Sequence, residues 1–433
     1  MSLNSLRRSA TAVAQPPAAP APPAPSADEK KAAEAFTGGK FDDALKLLQE
    51  VAKQNPMVVP KVTMSRWFAE SGQGQQARAL LEQAASEDPA HPTVLLLNAG
   101  YALNEGRFTD AILSCEAVLA AVASPRWGAE AKKTYQKEAR LALLAGFRQR
   151  RDFASARTHL AALLEADPQN PKLRVQLGQV NFAMNLPDDA LAEFTRARKD
   201  DPTIEPPELL VAKLWAEKSA FSEAEAWFNK AAQAHPAVAA VHRGQASYML
   251  DRGRADAAKP HLEAAQKIEP AARETKAIAG LLARYKKDYA AATAIFEELV
   301  REYPNLPFAT VNLAIVLSES ADANLKRRAL ELAQGYAQQN PKVPEAHAVL
   351  GYVLLKNDRA AEAEKQILTA ASLGGLSPDG GYFLARVFDK NGKVEDAHKV
   401  LKDSLASQLP FVYRADAQAL FDDLAKRLPP PKK

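Results

Sequence analysis

The sequence predicts an all-α fold, an α-solenoid in which about eleven helix-turn-helix repeats form a right-handed superhelix and a final helix caps the array. Three observations support this prediction. The composition is rich in alanine, and only 7% of the 433 residues are aromatic, which favours closely packed helices over a β-sandwich. Alanines recur with a period near 34 residues. Small residues and prolines recur at fixed distances before and after them.

Eleven alanines, each behind a short polar turn, mark the repeats. They are separated by 33 to 37 residues, apart from one interval of 45 residues. The side chain four residues further on is apolar every time and extends the same stripe by one helical turn. The alanines are Ala44, Ala77, Ala111, Ala156, Ala190, Ala224, Ala258, Ala292, Ala329, Ala363 and Ala397.

Each repeat has room for two helices. A small residue usually stands twelve positions before the alanine, as Gly178 does before Ala190, and Leu144 is an exception. Small side chains at matching places let two helix axes approach closely, so they predict a first helix packed on a second. A proline follows twelve positions behind the alanine in eight of the eleven repeats and predicts where the second helix ends.

The turn between the two helices carries its own signals. Segments such as 37–40 contain glycine or asparagine, which adopt the left-handed conformation that ends a helix. Side chains that accept backbone hydrogen bonds follow within a few residues, and we expect them to cap the second helix. These expected caps are Asp42, Thr109, Asp188 and Ser222.

Two helices in 34 residues, with these small, apolar and proline positions, resemble the tetratricopeptide repeat (TPR). Leu177-Gly178 and Leu350-Gly351 match the Leu-Gly pair of its first helix, and the alanine and proline positions match its second half. The resemblance covers residues 27–410. It implies a binding scaffold whose first helices line a concave groove.

The two ends of the chain differ from the repeats. Residues 1–26 contain six prolines, seven alanines and no acidic residue, which predicts a disordered tail. Residues 27–410 form the solenoid, with an insertion near 124–133 that accounts for the 45-residue interval. Residues 411–427 form an amphipathic helix that would cap the last repeat, as solenoid ends require. Residues 428–433 form a second disordered tail.

The sequence predicts a protein that is not an enzyme and that binds no metal, cofactor or small-molecule substrate. Its seven histidines are scattered over different repeats, with no pair four residues apart and no cysteine beside them. The single cysteine, Cys115, lies in the apolar stripe of a second helix and is expected to be a buried thiol. The sequence holds no glycine-rich phosphate loop.

The compartment is less clear from the sequence than the fold. No apolar stretch reaches 18 residues, so we expect no membrane span. Arg7, Arg8 and the small residues 12–14 resemble parts of a signal peptide, but the apolar region between them is missing. The sequence favours a cytoplasmic protein, and an exported protein with a shortened signal peptide is the alternative.

Charge is concentrated in one segment. Residues 126–151 hold eight basic and two acidic residues, a net charge of +6, whereas the whole chain carries +4. The segment is either the solvated face of a long helix or a dock for an acidic partner or RNA. Trp127 and Tyr135 lie nearby, but two aromatic residues do not make a stacking platform.

The predicted function is a protein–protein interaction scaffold that binds an extended or helical partner segment, of acidic character, in the concave groove. An RNA-associated protein that uses residues 126–151 is the alternative. The expected partner contacts form a stripe on the first helices that points away from the second helices, and salt-bridged solvation of this stripe is the alternative to binding. They are Arg66, Arg148, Lys213, Arg243, Arg284, Tyr352, Tyr382 and Arg386.

Overall fold

The computed structural model describes residues 26–409 and 411–428, and within these residues the only regular secondary structure is helical. The described chain falls into two compact units, which we call the N-terminal unit (26–207) and the C-terminal unit (208–428). Both predicted tails lie outside the described residues, apart from one residue each. Ser26 caps the first helix, and Leu428 follows the last one.

The N-terminal unit is built from five helix pairs. Their helices are α1 (Ala27–Thr37), α2 (Phe41–Gln54), α3 (Pro60–Glu70), α4 (Gly74–Glu87), α5 (Pro92–Asn104), α6 (Phe108–Ala121), α7 (Ala129–Gln149), α8 (Phe153–Ala166), α9 (Pro171–Ala183) and α10 (Pro187–Asp200).

The C-terminal unit is built from six further pairs and a final helix. Their helices are α11 (Pro207–Glu217), α12 (Phe221–Ala234), α13 (Ala239–Asp251), α14 (Ala255–Ile268), α15 (Arg273–Tyr285), α16 (Tyr289–Glu302), α17 (Pro307–Ser318), α18 (Ala323–Gln339), α19 (Pro344–Lys356), α20 (Ala360–Gly374), α21 (Pro378–Lys390), α22 (Val394–Ala406) and α23 (Arg414–Arg427).

The repeated alanines form the seam within each pair. All eleven are at most 1% exposed, and the apolar residues four positions further on are at most 5% exposed. Removing this apolar surface from water is the main force that holds each pair together. The predicted repeat phase and the all-α solenoid class are therefore confirmed.

First helices lie on the inner side of each stack. In the N-terminal unit α3 contacts α5 and α5 contacts α7, and in the C-terminal unit α13, α15, α17, α19 and α21 contact one another in succession. Second helices of successive pairs make no comparable contacts among the described residues. The surface that the first helices line is called the inner face below.

The predicted helix caps were wrong. Asp42, Thr109, Asp188 and Ser222 each lie one residue inside a helix, because the second helices begin earlier than the polar residues suggested. The acidic members still stabilise the first turn through the helix dipole. Side chains that do cap second helices come directly before the first helical residue, and they are Asp152, Asp288 and Asp322.

The extra residues of the 45-residue interval lengthen one helix. α7 has 21 residues, whereas the other first helices have 11 to 13, so it is longer by about two turns. Gly146 approaches α6 of the preceding pair closely, whereas Leu144 lies in one buried cluster with Ala156 and Leu160 of α8, the second helix of its own pair. A Cβ atom on Gly146 would lie 2.9 Å from Cγ1 of Ile112. Leu144 thus departs from the pattern in the size of its side chain alone, because it keeps the seam position beside α8.

Candidate interaction surface

Arg66 lies on the inner face of the N-terminal unit. It directly follows Ser65, which is fully buried and whose hydroxyl donates a hydrogen bond of 2.6 Å to the carbonyl of Ala77. This bond ties α3 to α4 at the seam. Arg66 comes one residue later on the helix and lies near side chains of α5 and α7 instead.

The guanidinium of Arg66 has unused hydrogen-bonding capacity. Burial lowers its pKa, although Glu70, Tyr135, Tyr101 and Glu138 all favour its charge. Its Nε is buried and has no hydrogen-bond partner, and no carboxylate within residues 26–409 and 411–428 forms an ion pair with it. Arginine presents a planar fork of donors that fits a carboxylate, so this side chain suits an incoming acidic group.

Glu138 lies on α7 in the neighbourhood of Arg66. Burial raises the pKa of this carboxyl, against the influence of Lys137 and Arg66. The residue is half-buried. Glu138 and Arg66 therefore lie in one partly desolvated region without a direct ion pair between them. Both side chains are available to a ligand.

Two aromatic residues of the basic segment belong to the core. The hydroxyl of Tyr135 lies 2.7 Å from Oγ1 of Thr93, and the ring of Trp127 meets the rings of Tyr135 and His91 edge-on at 5.2 and 5.3 Å. Trp127 is 3% exposed and Tyr135 is 1% exposed. Neither ring is available to stack on a nucleobase, and together they fix α7 against α5.

The basic side chains of residues 126–151 fall into two groups. Some bind within the unit: Arg126 pairs with Asp88 at 3.3 Å, and Arg150 donates to the hydroxyl of Thr109. Others are exposed and form no ion pair in the described part of the chain. These are Lys133, Lys137, Arg148 and Arg151. Arg148, an expected partner contact, lies in the last turn of α7.

Three expected contacts of the C-terminal unit are only partly buried. Arg243 pairs with Glu269 at 2.6 Å, which already offsets its charge. Arg386 donates to the hydroxyl of Tyr382 over 3.0 Å. Lys213 is partly buried and interacts within the chain.

Arg284, Tyr352 and Tyr382 lie in the interior. They are 3%, 2% and 3% exposed, so the expectation that Arg284 lies outside the packed core was wrong. Its Nη1 donates a hydrogen bond of 2.5 Å to Oδ1 of Asn312, and its guanidinium carbon lies 5.1 Å from the centre of the Tyr413 ring. Binding of a partner by these three residues stays a prediction, and it requires that their present neighbours move.

The side chains that cover this inner face come from the chain itself. We call residues 407–416 the strap; Pro410 within it lies outside the described residues. Tyr413 stacks on Tyr382 at a centroid distance of 5.1 Å and meets Phe383 and Tyr352 at 5.4 and 5.9 Å. Its backbone N–H donates to Oδ1 of Asp379 over 3.1 Å.

Sequence reasoning missed the partners of this cluster, above all Tyr413 and Asp379. Two signals could have shown it. Phe411 and Tyr413 form an aromatic pair just before a polar helix. A helix that only caps a solenoid does not need two large rings at its start, so the pair indicates a further contact. In addition, α17 is apolar all around, which is typical of a helix that is buried on every side.

No metal centre or nucleophile emerges from the described residues. They contain no cluster of three or more histidine, cysteine or acidic side chains that could hold a metal ion. His91 has a structural role: its Nδ1 accepts from the backbone of Thr93, and its Nε2 lies 3.1 Å from the carbonyl of Pro56. Cys115 is fully buried, and burial raises the pKa of its thiol to about 12.

The chain contains tetratricopeptide repeats. Tetratricopeptide repeat models match residues 68–132, 147–214 and 321–379. Such repeats serve as scaffolds for protein interactions, a class that is generally not enzymatic. No curated protein matches the sequence. Within the described residues, no helix combines the length and apolar character needed to cross a bilayer.

Solved structures that are similar to this chain have low sequence identity to it. Yeast Tom70 is 16% identical, with a TM-score of 0.37 over 93% of this chain and 95% of that one. A tetratricopeptide repeat protein from Parabacteroides merdae is 16% identical, with a TM-score of 0.41 over 58% and 99%. The APC/C hetero-tetramer Cut9-Hcn1 is 14% identical, with a TM-score of 0.41 over 91% of this chain and 95% of that one. All three TM-scores lie below 0.5, so no inference about a ligand follows from them.

Proposed function

We propose that this chain is an interaction scaffold whose N-terminal unit binds an acidic partner segment along its inner face, with Arg66 as the central contact. The observation that carries the proposal is the partly buried guanidinium of Arg66, whose Nε lacks a partner. A partner carboxylate would accept hydrogen bonds there in a region that is already partly desolvated, where such bonds are strong.

The surroundings of Arg66 support a peptide-sized ligand. Tyr101 lies close by and is partly exposed on α5, and arginine and tyrosine are the residues most enriched at binding hot spots. Gly100 lies beside it on the inner face, and no other atom approaches within 4 Å of the place where its Cβ would be. This leaves room for a backbone to approach α5.

The other partly exposed contacts extend the proposal with smaller expected effects. Arg148 is exposed, and Lys213, Arg243 and Arg386 already interact within the chain. Exposed charges are screened by salt, so these residues would steer the partner more than hold it.

A pair of charge reversals tests the proposal. Arg66→Glu changes the inner face, and Arg78→Glu changes an exposed arginine of α4, whose side chain is 68% exposed and pairs with Glu105. Each full-length variant is used to retain proteins from a lysate of the producing cells, and the retained proteins are identified by mass spectrometry. We expect Arg66→Glu to lose a dominant partner that wild type and Arg78→Glu both keep. Loss with Arg78→Glu alone would contradict the proposal.

RNA binding by the basic segment is the second candidate, because Lys133, Lys137, Arg148 and Arg151 are exposed without ion pairs among the described residues. Lys133→Glu with Lys137→Glu would then abolish RNA retention, and retention by wild type would fall steeply with salt. If the lysate experiment yields nuclease-sensitive material that depends on these lysines and not on Arg66, RNA binding replaces the first proposal.

A further inference from the structure

The strap joins helices that are far apart in the sequence of the C-terminal unit. Arg252, at the end of α13, donates a hydrogen bond of 3.3 Å to the carbonyl of Gln408, which is 156 residues away. Lys287, just beyond α15, pairs with Asp416 at 2.6 Å across 129 residues. Because α13 and α15 are first helices, the strap lies against the inner face of this unit.

The strap inserts two aromatic side chains. Phe411 and Tyr413 are 2% and 6% exposed. The ring of Tyr413 is surrounded by the rings of Tyr382 and Phe383 and by the guanidinium of Arg284. This region therefore accepts an aromatic side chain in the manner of a ligand pocket with a few placed polar groups.

The strap fills the volume of this pocket, but it leaves polar atoms there without a well-formed hydrogen bond. Nε and Nη2 of Arg284 and the hydroxyl of Tyr413 are buried, and none of them makes a hydrogen bond of good geometry, although the guanidinium and the hydroxyl lie close to each other. The backbone N–H of Tyr413 is satisfied by Asp379, whose burial raises the pKa of its carboxyl. A cation that is almost completely buried and keeps two nitrogens without a well-formed hydrogen bond favours any segment that supplies an acceptor.

The anchors of the strap differ in kind from those of α23. On α23, Phe421 stacks on His398 at 4.1 Å, and Arg427 pairs with Asp389 at 2.7 Å. These contacts hold the final helix to the last repeat without any strap residue. Residues 414–416 of the strap form the first turn of α23, so departure of the strap from the inner face would unwind this turn, while the contacts of Phe421 and Arg427 keep the rest of the helix in place.

We propose that the inner face of the C-terminal unit is a second binding site, specific for a partner segment with the pattern aromatic–x–aromatic and a nearby carboxylate. The strap occupies this site from within the same chain, and the partner displaces it. The site is separate from the Arg66 surface of the N-terminal unit, so either proposal can fail without the other.

The test uses the full chain and a fluorescent ten-residue peptide with the sequence of residues 407–416 (SQLPFVYRAD). A variant with Arg252→Ala and Lys287→Ala removes the hydrogen bond to Gln408 and the ion pair with Asp416, and it leaves the rings around Tyr413 unchanged. Its matched control is Arg254→Ala with Lys286→Ala, which removes neighbouring cations that pair with Glu225 and Asp256 instead. Fluorescence anisotropy then compares peptide affinity among wild type, variant and control.

We expect the loosened variant to bind the peptide about tenfold more tightly than wild type or control, as the loss of two surface contacts allows. Replacing Tyr413 by Ala in the peptide should abolish binding, because the ring that packs against Tyr382, Phe383 and the guanidinium of Arg284 is lost. Equal affinities for variant and wild type, or equal binding of the Tyr413→Ala peptide, would overturn the proposal.

A second measurement is independent of the loosened variant. In the full chain, Phe411→Ala with Tyr413→Ala should speed hydrogen exchange in residues 344–390, and addition of the wild-type peptide should restore the protection. If protection does not return although circular dichroism shows a folded chain, the pocket is core and not a binding site. If the chain with Phe411→Ala and Tyr413→Ala unfolds, the peptide affinity of the variant with Arg252→Ala and Lys287→Ala decides whether the proposal holds.

Discussion

The backbone N–H of Tyr413 donates a hydrogen bond of 3.1 Å to the buried carboxylate of Asp379 and thereby joins the strap to the first turn of α21. The strap covers the inner face of the C-terminal unit, and in this the inner faces of the two units differ. Arg66 and Tyr352 each follow the small residue of a first helix, yet Arg66 is partly exposed and Tyr352 is 2% exposed. The same repeat position is thus open to a ligand in one unit and covered in the other.

Gly178→Ala should destabilise the N-terminal unit. We expected Gly178 to face Ala190, but a Cβ atom on Gly178 would lie 2.5 Å from a ring carbon of Phe194. That ring is buried and has little room to move, so overpacking should lower the free energy of unfolding by roughly 1–3 kcal/mol. Urea denaturation measures the change, and hydrogen exchange should rise first in the neighbouring repeats.

Gly100→Ala is the matched control. Gly100 is also in the interior of a first helix, and no other atom approaches within 4 Å of its Cβ position. Alanine should therefore stabilise the unit by about 0.5–1 kcal/mol through helix propensity. Equal destabilisation by the two substitutions would show that close packing against Phe194 is not the cause.

Tyr135→Phe should weaken the attachment of α7 to α5. The change removes the hydrogen bond of 2.7 Å to Thr93 but keeps the ring against Trp127. We expect the free energy of unfolding to fall by about 0.5–1.5 kcal/mol in urea denaturation. Tyr101→Phe removes a hydroxyl for which the described residues give no hydrogen bond, so it should change stability less. A larger effect at Tyr101 would contradict this.

The thiol of Cys115 should not react in the folded protein. It is fully buried, and burial raises its pKa to about 12, so almost no thiolate exists at neutral pH. Ellman's reagent should modify the native chain only as fast as the N-terminal unit unfolds, and modification should be rapid in denaturant. A fast stoichiometric reaction under native conditions would mean that α6 is not packed as described.

Alkaline pH should destabilise the C-terminal unit. Burial raises the pKa of Tyr289 to about 12 and that of Tyr285 and Tyr352 well above the usual range. Unfolded tyrosines ionise near pH 10, so between about pH 10 and 12 the folded state holds more protons. The stabilisation is therefore complete below about pH 10 and is lost as the pH rises through the folded pKa.

Denaturation at a series of pH values measures this loss, and absorbance at the phenolate band follows ionisation directly. Tyr289→Phe should make the stability curve less steep above pH 10, since one of the shifted groups is gone. Stability that stays level between about pH 10 and 12 would show that these hydroxyls are not buried.

The fold could be predicted because it depends on local, repeated signals. Each alanine needs only its own partner helix, so Ala44 and Ala397 obey the same rule although they lie in different units. Cap positions were missed by two residues because side chains such as Asp42 suit both the cap and the first turn of a helix. Leu144 breaks the small-residue rule, yet it still lies in the buried cluster of its own pair together with Ala156.

The candidate site could be predicted only in part. Arg66 follows from the helix periodicity, which places it one residue beyond the seam. The burial of Arg284 does not, because it depends on Tyr413, which lies far away in sequence and reaches the inner face through the strap. Non-local contacts of this kind leave no periodic signal, and only the aromatic pair at 411 and 413 hints at them.

Hydrogen exchange of the full chain with its bound partner segment tests most directly whether the inner face of the N-terminal unit is the binding surface. We predict slower exchange in α3, α5 and α7, with little change in the second helices α4, α6 and α8, and loss of this protection in Arg66→Glu. Protection confined to α4, α6 and α8, or protection that survives Arg66→Glu unchanged, would contradict inner-face binding.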